Sequence, residues 1–120
     1  MIALWVFIGG GLGSLSRYGV SVGLQNFKFQ NFPTATLVAN LISCIIIGLA
    51  VGLFADKLQS TELKAFLVIG FCGGFSTFST FSNESIELLK SGNYVVAFAN
   101  ILISLIMCFA VIYLLGMLKK

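Results

Sequence analysis

The stretch SGNYVVAFANILISLIMCFAVIYLLGML, residues 91–118, decides the fold class because it contains no charged side chain. A helix of roughly 20 apolar residues crosses the hydrocarbon core of a bilayer. Residues 29–55 and 65–83 are also uncharged, and Arg17 alone interrupts a run from 1 to 27. These runs predict an all-α integral membrane protein with spans at about 2–24, 34–55, 62–89 and 94–118. The short connections predict one transmembrane domain over residues 1–120.

The composition supports a membrane protein and excludes several functional classes. The chain is 58% hydrophobic and 9% charged, whereas soluble domains carry about 25% charged residues. Met1 leads directly into IALWVFIGG, so we expect a first span and no removable signal peptide. The net charge of +3 is scattered, which argues against nucleic-acid binding. With no histidine in the sequence a hydrolytic triad is excluded, and we expect no enzyme.

The lysines give only a weak preference for one orientation. Four spans place both termini and the 56–61 connection on one side, with Lys57, Lys64, Lys119 and Lys120. The other side carries Lys28 and Lys90. Positive residues favour the cytoplasmic side, but an excess of two lysines is small enough for both orientations to occur.

Several polar side chains fall inside the predicted spans, where they are costly and suggest function. Arg17 either extends to the interface or attracts anions at the mouth of a pathway. Asn40 either bonds neighbouring helices or lines a pathway. Glu84 lies near a membrane surface and is placed to guard a vestibule. A further set, spaced by four residues, forms one stripe of the last span: Asn100, Ser104 and Cys108. Cys44, Cys72 and Cys108 are read as small packing residues rather than as a metal or redox site.

The densest polar segment is GFCGGFSTFSTFSNE, residues 70–84. Its rings recur every third residue, at Phe75, Phe78 and Phe81. Its hydroxyls are Ser76, Thr77, Ser79, Thr80 and Ser82. No lipid-facing stripe remains, so the segment is buried in protein or lines a wet path. Its glycines disfavour a helix and predict a break near residues 73–77. Hydroxyl donors and positive ring edges suit a small anion, which weak contacts hold without trapping.

This segment resembles the signature of the Fluc (CrcB) fluoride channels. GGGLGSLSRY at residues 9–18 and FPTATLVAN at residues 32–40 are similar to the first-span and second-span motifs of that family. The resemblance covers the whole chain. It departs at Ala35, where glycine is usual, at Ser76, where threonine is usual, and at Cys108, where a hydroxyl would be a better donor.

The resemblance implies a passive fluoride channel of the plasma membrane that exports cytoplasmic fluoride and lowers its toxicity. It implies an antiparallel, dual-topology dimer with its pores at the subunit interface. The pore residues implied, with the remainder of their polar segment, are Asn40, Phe78, Phe81, Thr77, Ser79, Thr80, Ser104, Glu84 and Arg17. The backbone carbonyls of Gly73 and Ser76 would hold a structural sodium ion, four oxygens coming from two subunits.

Two other functions remain open on the sequence. A proton-coupled small multidrug exporter also has four spans in a dual-topology dimer, but it needs an acid in the first span, where this chain has Arg17. An accessory subunit of a heterodimer, with polar residues that only hold helices together, is the second alternative. The slight lysine bias leaves a homologous partner chain possible.

Overall fold

The computed structural model of the chain describes residues 1–26 and 32–118, and these ranges are helical and contain no strand. Helix α1 covers Ile2–Gly23 and α2 covers Thr34–Gly52. A single 3₁₀ turn, Lys57–Gln59, follows α2. Lys28, Lys119 and Lys120, which enter the charge comparison, lie outside the described residues.

The third helical segment changes its winding along its length. Helix α3 begins with an α-helical turn, Thr61–Lys64, continues as a π-helix, Ala65–Cys72, and ends with a turn of α-helix, Gly73–Phe75. Such wide turns are uncommon and recur near functional sites. Ser76 and Thr77 are extended, with ψ of 156° and 116°. Helix α4 then covers Phe78–Lys90, and α5 covers Tyr94–Gly116.

Among the described residues, three stretches are long and apolar enough to cross a membrane: Thr34–Gly52, Thr61–Lys90 and Tyr94–Gly116. They are expected of a multi-pass membrane protein. Helix α1 has 22 residues, which is long enough, but its glycines and Arg17 make it less apolar. That α1 forms a fourth span stays a prediction.

Side-chain caps mark the beginnings of α3 and α4. The Leu63 N–H donates to Ser60 Oγ at 3.3 Å, so Ser60 caps α3. The Thr80 N–H donates to Thr77 Oγ1 at 3.2 Å, so Thr77 caps α4. A helix therefore restarts at Phe78 because Thr77 supplies the acceptor that its first turn needs.

Glycines bring α1 and α3 into backbone contact. A Cβ on Gly9 would overlap the carbonyl oxygen of Phe66, and one on Gly13 would overlap that of Phe71. On the other side of the bundle, Gly48 and Gly52 of α2 pack against Leu115 of α5. These glycines thus serve helix packing within one chain.

Phe75 belongs to the core of the bundle. Its side chain is only 3% exposed and stacks at a tilt on Phe71, with ring centroids 5.6 Å apart. This burial separates Phe75 from Phe78, the next phenylalanine of the segment, which is largely exposed.

Candidate functional site

A groove of about 190 Å³ lies where α2, α4 and α5 meet at the extended residues. We call it the aromatic groove. It is lined by Asn40, Cys44, Ser76, Thr77, Phe78, Phe81, Ser104, Leu105 and Cys108. The sequence placed five of these residues in a pore: Asn40, Thr77, Phe78, Phe81 and Ser104. The fold brings them together from three helices and the link before α4.

Asn40 binds the backbone of Thr77 with both ends of its amide. Its Oδ1 accepts the Thr77 N–H at 2.8 Å, and its Nδ2 donates to the Thr77 carbonyl at 3.4 Å. An extended residue inside an apolar bundle needs such partners for its backbone groups. Asn40 therefore joins α2 to the extended link, and it also faces the groove.

The two phenylalanines of the groove differ in their exposure. Their ring centroids lie 5.9 Å apart, at an interplanar angle of 44°. Phe81 is 8% exposed, whereas Phe78 is 76% exposed. Phe81 is thus fixed by packing within the chain, and most of the Phe78 ring is free to meet something outside it.

A chain of hydrogen bonds connects α5 to the backbone of Phe81. Ser104 Oγ donates to Asn100 Oδ1 at 3.3 Å, and Asn100 Nδ2 donates to Ser85 Oγ at 3.0 Å. Ser85 Oγ in turn donates to the Phe81 carbonyl at 2.9 Å. Asn100 and Ser104 of the predicted stripe therefore join α5 to α4, and the Ser104 hydroxyl donates to Asn100 rather than to the groove. Ser85 was missed by the sequence reasoning, although its position four residues after Phe81 suits a bond to that carbonyl.

A second cavity, of about 340 Å³, lies beside α1 and contains both charged residues of the predicted site. We call it the charged cavity. Arg17, Thr77, Thr80 and Glu84 are among its lining residues, and Thr77 also lines the aromatic groove. Arg17 Nε donates to the Gly74 carbonyl at 3.2 Å, so the guanidinium is fixed at the end of α3. Glu84 Oε1 is buried and has no hydrogen-bond partner among the described residues.

Ser79 and Thr80 take different positions around Thr77. Thr77 Oγ1 donates to Thr80 Oγ1 at 3.1 Å, which keeps Thr80 at the charged cavity. Ser79 Oγ lies 3.3 Å from Thr77 Oγ1 on the exposed side, and Ser79 lines neither cavity. The structure therefore brings Thr80 into the site and leaves Ser79 at its edge.

The carbonyl groups around the extended link are unequally paired. The Cys72 carbonyl accepts bonds from the Ser76 N–H, Ser76 Oγ and Ser43 Oγ. The carbonyls of Gly73 and Ser76 accept no hydrogen bond from any residue that the structure describes. Gly73 is exposed. These two oxygens are hard donors of the kind that unwound membrane helices offer to sodium. The described residues contain no group of three or more cysteine and acidic side chains that could hold a metal.

Comparison with known proteins establishes the family. The family described as "CrcB-like protein, Camphor Resistance (CrcB)" matches residues 4–117. The chain belongs to the CrcB family. A relative from Phocaeicola vulgatus, named fluoride-specific ion channel FluC, is 42% identical over 104 residues, or 87% of this chain and 86% of its own length.

Other members of the CrcB family carry the same name. The relative from Pyrococcus abyssi is 43% identical over 92% of this chain and 89% of its own length. The relative from Flavobacterium psychrophilum is 44% identical over 83% of this chain and 82% of its own length. The family is therefore one of ion channels and not of enzymes, as the sequence predicted.

Proposed function

We propose that this CrcB-family chain forms a passive, fluoride-selective channel in the plasma membrane and exports cytoplasmic fluoride. The observation that carries the proposal is the aromatic groove, which collects Asn40, Phe78 and Phe81 with Ser104 from separate helices. The relatives named as fluoride-specific ion channels support it.

The groove offers an anion several weak contacts and no full positive charge that would hold it too tightly. Ring edges are electropositive, and Phe78 and Phe81 line the groove together with the amide of Asn40. Every charged residue of the predicted site lies in the charged cavity, outside the groove. A passing ion must be held firmly enough to enter and weakly enough to leave, which a row of uncharged contacts achieves.

The charged cavity provides the approach to the groove. Arg17 attracts the anion there, and its bond to Gly74 keeps the charge beside the wall rather than in the path. Thr77 connects the two spaces because it lines both. Glu84 stands at the same mouth, where its charge affects entry and exit.

A second copy in antiparallel orientation completes the pathway. Phe78, Ser79 and Gly73 are exposed on a single chain, and polar or unpaired backbone groups do not face lipid. A partner subunit would cover this surface and convert an open groove into a closed pore. In that arrangement α3 and α4 form one span that is broken at mid-membrane by Ser76 and Thr77.

The two unpaired carbonyls fit a structural sodium ion. Gly73 and Ser76 would hold it between the subunits, where two chains contribute four oxygens. The ion would supply positive charge at the dimer centre. Because Ser76 would bind the ion through its backbone carbonyl, the absence of the family's usual threonine side chain does not disturb the sodium site.

The test is fluoride efflux from liposomes that contain the purified chain alone. We expect fluoride to leave with its electrochemical gradient, without a proton gradient, and chloride to be retained. Fluoride flux equal to chloride flux, or the absence of any flux, would contradict the proposal. Recovery of flux only after addition of a homologous chain would instead assign an accessory role.

A further inference from the structure

The geometry points to a binding site for a soft, thiophilic cation between Cys44 and Cys108 in the wall of the aromatic groove. This site is independent of the backbone carbonyls of Gly73 and Ser76. A cation bound there would block the groove, and that consequence rests on the proposed channel function. The binding itself does not.

Cys44 and Cys108 belong to two helices that pack tightly against each other. Gly48 and Gly52 of α2 lie against residues 111–116 of α5, so the helices run side by side in the same direction. One turn before Gly48, Cys44 therefore lies beside Cys108. Both side chains line the aromatic groove.

The surroundings select the kind of cation. Thiolate sulfur prefers soft metals such as univalent copper or silver, and two ligands suffice for a metal that accepts linear coordination. Zinc normally takes four ligands, and the described residues offer no cluster of that kind. Both thiols are partly exposed, whereas Cys72 is buried at 1% and interacts with Ser43.

Charge balance also favours a univalent cation. One thiol loses its proton to water and forms a metal–sulfur bond as a thiolate, and the sulfur of the second thiol donates a lone pair to the same metal. The resulting complex has no net charge, so it avoids the large cost of an ion in an apolar environment. Because a proton is released, binding strengthens as the pH rises.

Silver is the probe for a direct binding measurement. We expect the purified wild-type chain in chloride-free detergent solution to bind one more silver ion than either Cys44→Ser or Cys108→Ser. The matched control is Cys72→Ser, which should bind as much silver as wild type. Unchanged binding in Cys44→Ser or Cys108→Ser would overturn the inference, as would an equal loss in Cys72→Ser.

The second measurement is the effect of silver on fluoride efflux, expressed relative to the untreated rate of each protein. Silver should inhibit wild type and Cys72→Ser, and Cys44→Ser and Cys108→Ser should lose this sensitivity. Inhibition that persists in both serine variants would overturn the groove as the blocking site. If no protein conducts fluoride, the channel function fails, and the binding measurement still decides whether the thiol pair holds the cation.

Discussion

At the scale of single residues, the amide of Asn40 both binds the Thr77 backbone and faces the groove. Asn40→Asp keeps an acceptor for the Thr77 N–H but loses the donor to the Thr77 carbonyl. It also puts a negative charge in the groove, where repulsion at an effective dielectric of 20 costs an anion about 4 kcal/mol at 4 Å. We predict that fluoride efflux falls by more than about tenfold, since a tenfold change needs only about 1.4 kcal/mol.

The control for this charge is Asn93→Asp. Asn93 precedes α5 outside the groove, so the same change of group should leave efflux near the wild-type rate. If Asn40→Asp conducts as well as Asn93→Asp, Asn40 does not contact the path.

The exposed ring of Phe78 allows a test of the aromatic edge. Phe78→Ile keeps an apolar side chain but removes the ring, and with 76% of Phe78 exposed the fold of one chain should tolerate it. We predict strongly reduced fluoride efflux from a protein that elutes from a sizing column as wild type does. Phe98→Ile, at a residue that is 57% exposed on α5 and outside the groove, should conduct normally. Equal rates in the two variants would remove Phe78 from the pathway.

At the scale of helices, the contact of α1 with α3 depends on glycine. In Gly13→Ala, the new Cβ would overlap the Phe71 carbonyl and force the two backbones apart. Overpacking of this kind typically costs about 1–3 kcal/mol. We predict a lower midpoint of thermal unfolding in detergent. Gly11→Ala is the matched control because a Cβ there meets nothing within 4 Å and alanine favours the helix. A midpoint for Gly13→Ala at or above that of Gly11→Ala would contradict the packing.

The hydrogen bond between Ser85 of α4 and Asn100 of α5 can also be tested by substitution. Ser85→Ala removes the acceptor for Asn100, whose amide is buried at 1% exposure. An unsatisfied buried group costs about 1–3 kcal/mol, so the unfolding midpoint should fall. Ser82→Ala, at a hydroxyl with no bond among the described residues, should change it little. Equal midpoints would show that water or another group satisfies Asn100.

Helices could be predicted from the sequence because their signal is local. The expected span 34–55 became Thr34–Gly52, and 94–118 became Tyr94–Gly116. The π-helical stretch Ala65–Cys72 could not be predicted, since no local signal in the sequence marks it and its contacts with α1 join residues far apart in the chain. The role of Ser85 could not be predicted for the same reason. Its neighbours in sequence resemble those of any surface serine, and its partner Asn100 comes from another helix.

At the scale of the whole molecule, the proposed antiparallel dimer depends on the small lysine bias. The test uses Met117→Cys on a background in which Cys44, Cys72 and Cys108 are changed to serine. If the chain inserts in both orientations, an impermeant maleimide added outside should label the new cysteine in about half of the molecules. The remainder should react only after the membrane is permeabilised. Labelling of all molecules from one side would contradict dual topology.

Added lysines that fix the orientation of the chain test whether opposite orientations are needed for fluoride export. Gln59→Lys with Ser60→Lys adds charge beside the connection that follows α2. Gln25→Lys with Asn26→Lys adds it at the end of α1, which the four-span prediction puts on the opposite side. Each pair should fix one orientation, because positive residues are retained in the cytoplasm. Either variant expressed alone should place every chain parallel to its neighbours and lose fluoride export. Expression of both together should restore it, since only oppositely oriented chains can close the groove around Phe78. Export by one fixed variant alone would show that a single orientation suffices, and the antiparallel dimer would have to be abandoned.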